Sequence, residues 1–444
     1  MRRGRIDLVG PPFAGHLHPL LAIGRRLARD HDVRVISTEG AQPAIAAAGL
    51  SGRVVLAGRD AEIRAIVEPP HSVGSNPFRL HAQLRENLKL LLALREEVRA
   101  LWTAEPQPDL VIADLTIPAA GSLALELGIP WWTTHPSPAV IEARDGAPAY
   151  LGGLRPGRGP LGRLRDAAGR ALIRTFKRGV HRLYRRPVRA LGFPHVYRED
   201  GTEAVYSPER VLGLSVPELE FPRSLPPAVR LIGPALYTPP TAAPDPPFRP
   251  GRPAVLVTLG THLPWKKDSM AEAVRAAARA LPDLDFHFTD GRADSLHYES
   301  EGNFHRLGYV SYDRDLPRYR LIVHHAGTGV LYHALRAGKP SLVLPLDYDQ
   351  FDYAIRLEAF GLARRIRDLG TLAEQVRAAL ADGELAAACG RFAAVLRGYS
   401  AEERVAEEVA ERFRRVFRGS AVPPALCDQR RLPSRPRRTG VDFN

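Results

Sequence analysis

Two groups of residues in this chain have types and spacings that could do chemistry on a polar substrate. The first is the turn Gly10-Pro11-Pro12-Phe13-Ala14-Gly15-His16-Leu17-His18-Pro19, which follows an apolar run and opens a helix. In α/β proteins that edge, at the carboxyl ends of the strands, is where ligands bind. The turn lacks the G-x-G-x-x-G that lets a pyrophosphate approach the backbone, which counts against a dinucleotide oxidoreductase. It presents His16 instead, whose neutral imidazole, with an ordinary pKa of about 6.5, suits abstraction of an alcohol proton near neutral pH. Taken alone, the turn fits a capping or solvent-facing histidine equally well. Such a base works better when a carboxylate fixes its tautomer. Asp114 follows the apolar run 110–113 at the same sheet edge, although an aspartate there can also cap the next helix.

The second group lies in residues 324–350, HHAGTGVLYHALRAGKPSLVLPLDYDQ. A strand ending in histidine, small residues that admit a ligand close to the backbone, and a helix start together build an anion site from free amides and the helix dipole. Thr258-Leu259-Gly260-Thr261 is a second Gly-rich turn after an earlier strand, and its amides could add to the first set. Two such turns suit a diphosphate. Asp349 and Gln350, past the next strand, offer acceptors and donors for sugar hydroxyls. Tight glycine packing and a surface Asp-Gln loop would leave the same letters.

Positioning these residues takes two domains, since 444 residues with 45% hydrophobic content exceed one core. Short apolar runs alternate with helical segments, the pattern of βαβ units around a parallel sheet. Residues 6–9 read as a strand, 19–29 as a helix and 33–37 as a strand. Leu80, Leu84, Leu88, Leu91 and Leu92 then recur at helical spacing before the strand 110–113 and a helix-strand pair ending at Trp131 and Trp132. Residues 233–253, GPALYTPPTAAPDPPFRPGRP, are too rich in proline for a helix or central strand. Alternation restarts beyond them with strands at 254–258, 284–289, 321–324 and 341–344, and helices at 270–280 and after Gly327. The expected organisation is a first domain over 1–232, a linker over 233–253 and a second domain over 254–400. A charged amphipathic helix over 401–418 and a mobile basic tail over 419–444, with RRLPSRPRR, complete it.

At this point the chain resembles glycosyltransferase family 1, the group of the UDP-glucuronosyl, plant and macrolide glycosyltransferases. Gly15-His16 with Pro19, an Asp before a helix, and His325, Gly327, Gly338, Pro340, Pro345, Asp349 and Gln350 carry the resemblance, which runs over nearly the whole length. It implies an α/β GT-B fold of two Rossmann-like doubly wound parallel-sheet domains facing a cleft. It further implies His16 as general base with Asp114 as its partner. His325 and the helix start at Thr328, Gly329 and Val330 would hold the diphosphate, and Asp349 with Gln350 the sugar. Tyr309 falls where the family places a base-stacking Trp. The family's ribose-binding Glu, eight residues after the motif histidine, is His333 here; Tyr312 replaces a Gln, and Val330 a Ser. The donor expected from this pattern is a UDP- or TDP-linked hexose, and the acceptor a hydroxyl of a lipophilic molecule.

Two other readings share these letters. One is a GT-B transferase of the peptidoglycan or diacylglycerol type, which normally has a longer glycine run in the first loop and lacks the Asp-Gln ending. The other is a catalytically silent GT-B partner protein, suggested by His333 and Tyr312.

The formal charge of +13 would suit nucleic acid or an anionic membrane. Arginine outnumbers lysine amid much Ala, Leu, Pro and Gly, however, the bias of GC-rich coding, and no nucleic-acid-binding motif is present. Two cysteines, Cys389 and Cys427, make no disulfide framework or zinc site, so neither a metal nor a cofactor is expected beyond the nucleotide sugar. MRRGRIDLVG lacks the long apolar core of a signal peptide, and the expected address is cytoplasmic. Residues 155–198 interleave basic side chains (Arg163, Arg174, Lys177, Arg182) with Leu164, Leu172, Phe176 and Leu183. Such a helix either packs its apolar stripe on its own core or lies on anionic lipid, and peripheral membrane contact is the expectation.

Overall fold

The computed structural model describes residues 3–71 and 77–417. Its first sheet contains β1 (Arg5–Val9), β2 (Asp32–Ser37), β3 (Ser51–Val54), β4 (Leu110–Asp114), β5 (Trp131–His135), β6 (Val211–Gly213) and β7 (Val229–Leu231). They run in parallel in the order β3-β2-β1-β4-β5-β6-β7. The second sheet contains β8 (Ala254–Thr258), β9 (Asp285–Thr289), β10 (Tyr298–Glu301), β11 (Phe304–Leu307), β12 (Leu321–His324), β13 (Ser341–Val343) and β14 (Ala363–Arg365). Its order is β10-β11-β9-β8-β12-β13-β14, and only β10 runs antiparallel. Central strands such as β4 and β8 are buried on both faces, as parallel strands covered by helices must be. Their continuous apolar runs follow from that burial.

Register fixes what meets at each carboxyl edge. Val9 pairs with Ala113, so the turn holding His16 and the end of β4 at Asp114 lie side by side. In the second half His324 pairs with Thr258, which sets the turn at Gly260 against His325.

Several elements differ from the sequence reading. The first helix spans Ala14–Leu27 and carries Pro19 inside it, where the ring leaves the carbonyl of Gly15 without its intrahelical donor. Trp131 and Trp132 begin β5 rather than ending it; buried Thr133, Thr134 and His135 extend the strand between β4 and β6. The helix expected from 270 starts at Pro264, where a proline at the first helical position is tolerated. Residues 233–253 form neither helix nor strand.

The last described helix, Ala401–Phe417, lies on the first half. Its Ala401, Val405, Val409 and Phe413 share a core with Leu20, Leu21 and Ile23, and Glu403 pairs with Arg26 at 2.7 Å. The chain therefore returns to the domain in which it began. Residue 418 and the tail 419–444 lie outside the described residues.

Candidate active site

On the first half, the backbone leaves β1 at Gly10, where a Cβ would come within 2.3 Å of the Leu20 side chain in the core. Gly15 differs, because a Cβ there would meet nothing within 4 Å, leaving the helix start beside His16 open. His16 Nδ1 lies 3.0 and 3.1 Å from the two carboxylate oxygens of Asp114. Asp114 is buried, and its Oδ1 also accepts from the Thr116 amide at 2.9 Å and the Thr116 hydroxyl at 2.6 Å.

Burial is the largest single influence and opposes a charge on either partner, but the attraction and hydrogen bond between them, together with Thr116 and Asp349, outweigh it. The carboxyl of Asp114 is held below its ordinary value by His16 and Thr116, and the imidazole of His16 is raised above 6.5 by Asp114, with Asp349 adding to it. An ionised Asp114 accepts from Nδ1–H, so Nε2 is the atom that can take a proton. The His16 side chain keeps 29% of its surface accessible, enough for a substrate to reach it.

Asp349 comes from the other half, after β13, at the start of the helix Gln350–Ala359. Its Oδ2 accepts from the hydroxyl of Ser137, the second residue past β5. Burial raises its carboxyl above the usual range. Gln350, expected on the sugar, is buried and directs Oε1 at the amides of Leu346 and Asp347, at 2.8 and 3.1 Å. It shapes the loop, and only its amide nitrogen remains for a hydroxyl.

The two Gly-rich turns converge on His325. A Cβ on Gly327 would stand 2.2 Å from its Nε2 and one on Gly260, at φ +68°, 2.9 Å from its Cε1, so both glycines make room for the ring. Burial, then His262, push this imidazole down to about 4 against the opposing pull of the Thr258 backbone, which keeps it neutral. Ala326 adopts φ +68°, a strained conformation for a residue with a Cβ. Beyond it the helix Thr328–Arg336 starts at Gly327 without a side-chain cap, and its first bond runs from the Leu331 amide to the Gly327 carbonyl. The amides of Thr328, Gly329 and Val330 are left without intrahelical acceptors. Val330 can contribute only that amide, since its side chain is buried against Ile322 and Ala334. Gly260 and Thr261 sit half-buried beside this turn.

Tyr309 is half-buried in the loop after β11, and burial raises its phenol. Nearby, His333 Nδ1 lies 3.3 Å from Asp313, and its ring tilts on Tyr312 at 5.4 Å. Tyr312 in turn meets the Thr258 hydroxyl at 3.1 Å. His18, which the sequence reading passed over, is pushed down to about 4 by burial and by His333, so the first helix faces this corner too. Its position two residues after His16 was the available signal. Ser137 and Thr116 were also missed, although each stands just past a strand on the active edge. Further contacts hold the halves together: Glu68 with His262 at 3.3 Å, the Tyr150 amide with Asp352 at 3.0 Å, and Arg356 with Glu220 at 3.2 Å.

Among the described residues no three His, Cys, Asp or Glu group as metal ligands, and no helix is long and apolar enough to cross a membrane. No protein-family model matches the chain. It is 27% identical over 426 residues to O-mycaminosyltylonolide 6-deoxyallosyltransferase of Streptomyces fradiae, covering 87% of this chain and 92% of that one. To zeaxanthin glucosyltransferase of Pseudescherichia vulneris it is 26% identical, over 85% of this chain and 90% of that one. The solved glycosyltransferase of kitacinnamycin superposes with a TM-score of 0.71 at 23% identity, over 93% of this chain and 99% of that one. Three other matched glycosyltransferase structures are complexes with thymidine diphosphate. With its two mostly parallel seven-stranded sheets and relatives matched over most of their length, the chain is a glycosyltransferase of GT-B fold, similar to the natural-product enzymes of glycosyltransferase family 1.

Proposed function

We propose that the chain transfers a hexose from a thymidine or uridine diphosphate sugar to a hydroxyl of a lipophilic acceptor, with inversion at the anomeric carbon. The observation that carries this reading is the His16–Asp114 pair, open toward Asp349 of the opposite half. His16 Nε2 takes the hydroxyl proton as the acceptor oxygen bonds to the anomeric carbon. The bond from that carbon to the diphosphate oxygen breaks on the opposite face, and its electron pair leaves with the diphosphate. A single displacement of this kind inverts the centre. Negative charge on the leaving group then meets the amides of Thr328, Gly329 and Val330 and the turn at Gly260. Dipoles fixed in advance stabilise such charge by several kcal/mol. The thymidine diphosphate held by matched structures supports the donor class, and the names of the relatives that act on zeaxanthin and O-mycaminosyltylonolide support the acceptor class.

No cofactor enters this scheme. EDTA is expected to leave the rate unchanged, because amides and an imidazole, rather than carboxylates, surround the leaving group. A rate that collapses on chelation and returns with magnesium would contradict it. The sugar contact has its own test. Asp349→Ala is expected to weaken binding of the nucleotide sugar by more than about tenfold while leaving the free nucleoside diphosphate unaffected, since hydrogen bonds to a charged group are worth about 1.5–3 kcal/mol. Calorimetry on both ligands checks this, and equal losses would assign Asp349 to the domain contact with Ser137 alone. The reading as a whole is tested by screening thymidine and uridine diphosphate sugars against hydrophobic alcohols for release of the nucleoside diphosphate.

A further inference from the structure

The helix Gly159–Leu183 has its faces reversed relative to an ordinary surface helix. Its inner face is largely polar: Lys177 pairs with Glu142 at 2.7 Å and Glu203 at 2.6 Å, Arg174 bonds Glu142 at 3.0 Å, and buried Asp166 accepts from the Gly157 amide at 2.7 Å. Its outer face carries Leu161, Leu164, Leu172, Phe176 and Leu183, between 54% (Phe176) and 83% (Leu161) exposed. These positions fall on one side of a helix of 3.6 residues per turn. Of the apolar residues in the segment, Val180 and Tyr184 do pack inward on the first half's core, but this stripe does not.

Charge accompanies the stripe. Arg178, Arg182, Arg185, Arg186 and Arg189 are exposed along the carboxyl half of this helix and the short helix that follows, Arg185–Ala190. From residue 159 to 190 the only acidic residue is Asp166, which is buried. Self-association through this face would set arginine against arginine. An anionic lipid surface instead offers an apolar boundary for the leucines and phosphates for the guanidinium groups.

We propose that the outer face of Gly159–Leu183 docks on an anionic lipid bilayer. Docking is independent of the chemistry, but its placement deepens the proposed function and rests on it for the acceptor. Lys177 anchors the helix to Glu203; nearby Tyr206 meets His135 at 3.3 Å, at the end of the strand paired with β4. The bilayer would thus lie against the half that holds His16, where a lipophilic alcohol must arrive.

The test is co-sedimentation of the full chain at low salt with vesicles of phosphatidylcholine, alone or mixed equally with phosphatidylglycerol. Wild type is expected to pellet with the mixed vesicles only, and to be released as salt screens the attraction. Leu172→Glu with Phe176→Glu, both exposed and so free of any core role, is expected to reduce pelleting more than about tenfold with its melting temperature unchanged. The idea fails if wild type stays in the supernatant, if it pellets equally with phosphatidylcholine alone, or if the double variant pellets like wild type. It also fails if the variant instead dissolves a dimer seen by size exclusion. Transfer to a water-soluble alcohol, measured on the same variant, reads the proposed function separately: an unchanged rate beside lost pelleting supports docking, whereas wild type that pellets but transfers nothing sinks only the transferase reading.

Discussion

His16→Ala is expected to lower kcat by about 100-fold or more while leaving nucleotide-sugar affinity unchanged, the loss typical of a removed general base. The substitution takes away the one atom, Nε2, placed to accept the acceptor proton, and touches none of the amides around Gly327. The pH profile carries a second sign of the same role. A base must be neutral to act, so kcat/KM of wild type should fall as pH drops through a value above 6.5, the direction in which Asp114 shifts His16. In His16→Ala the residual rate should lose this limb. Stopped assays across pH, with calorimetry for donor affinity, check both parts.

Asp114→Asn is expected to cost at least about 100-fold in kcat, and up to about 10,000-fold if the imidazole turns to the wrong tautomer. Asp114 holds three donors, from His16 and from the amide and hydroxyl of Thr116. An amide in its place brings its own N–H groups, and one directed at Nδ1 would force the proton onto Nε2 and leave no base. It also removes the charge that raises His16, so the acid limb should move to lower pH. A limb that stays in place would mean that another group sets it.

Much of this site was legible in the sequence because it depends on strand ends. His16, Asp114 and His325 each follow an apolar run, and parallel register brings such ends to one edge whatever the loops do. Local pattern misled where proline was read as the start of a helix, so that His16 appeared ahead of a helix it is part of. Contacts between the halves were not legible at all. Ser137 and Asp349 are separated by 212 residues, and nothing in either neighbourhood names the other. Gln350 shows the same limit from the opposite side: the motif gives its position, while only the fold shows its carbonyl oxygen taken by loop amides. Amphipathic pattern announced both the C-terminal helix and the basic helix, but only for the second did it favour the outward stripe that the fold shows; that the first buries its stripe on Leu20 and Leu21 was not legible.

Acceptor-dependent release of nucleoside diphosphate reports whether His16, held by Asp114, serves as the base in a displacement that moves a sugar. Wild type supplied with a thymidine or uridine diphosphate hexose should release the nucleoside diphosphate when a hydrophobic alcohol is added, with glycoside of inverted anomeric configuration formed in equal amount. His16→Ala should bind the same donor and release almost none. Contradiction would come from donor binding without release for any alcohol, which describes a silent GT-B protein, or from equal release by wild type and His16→Ala.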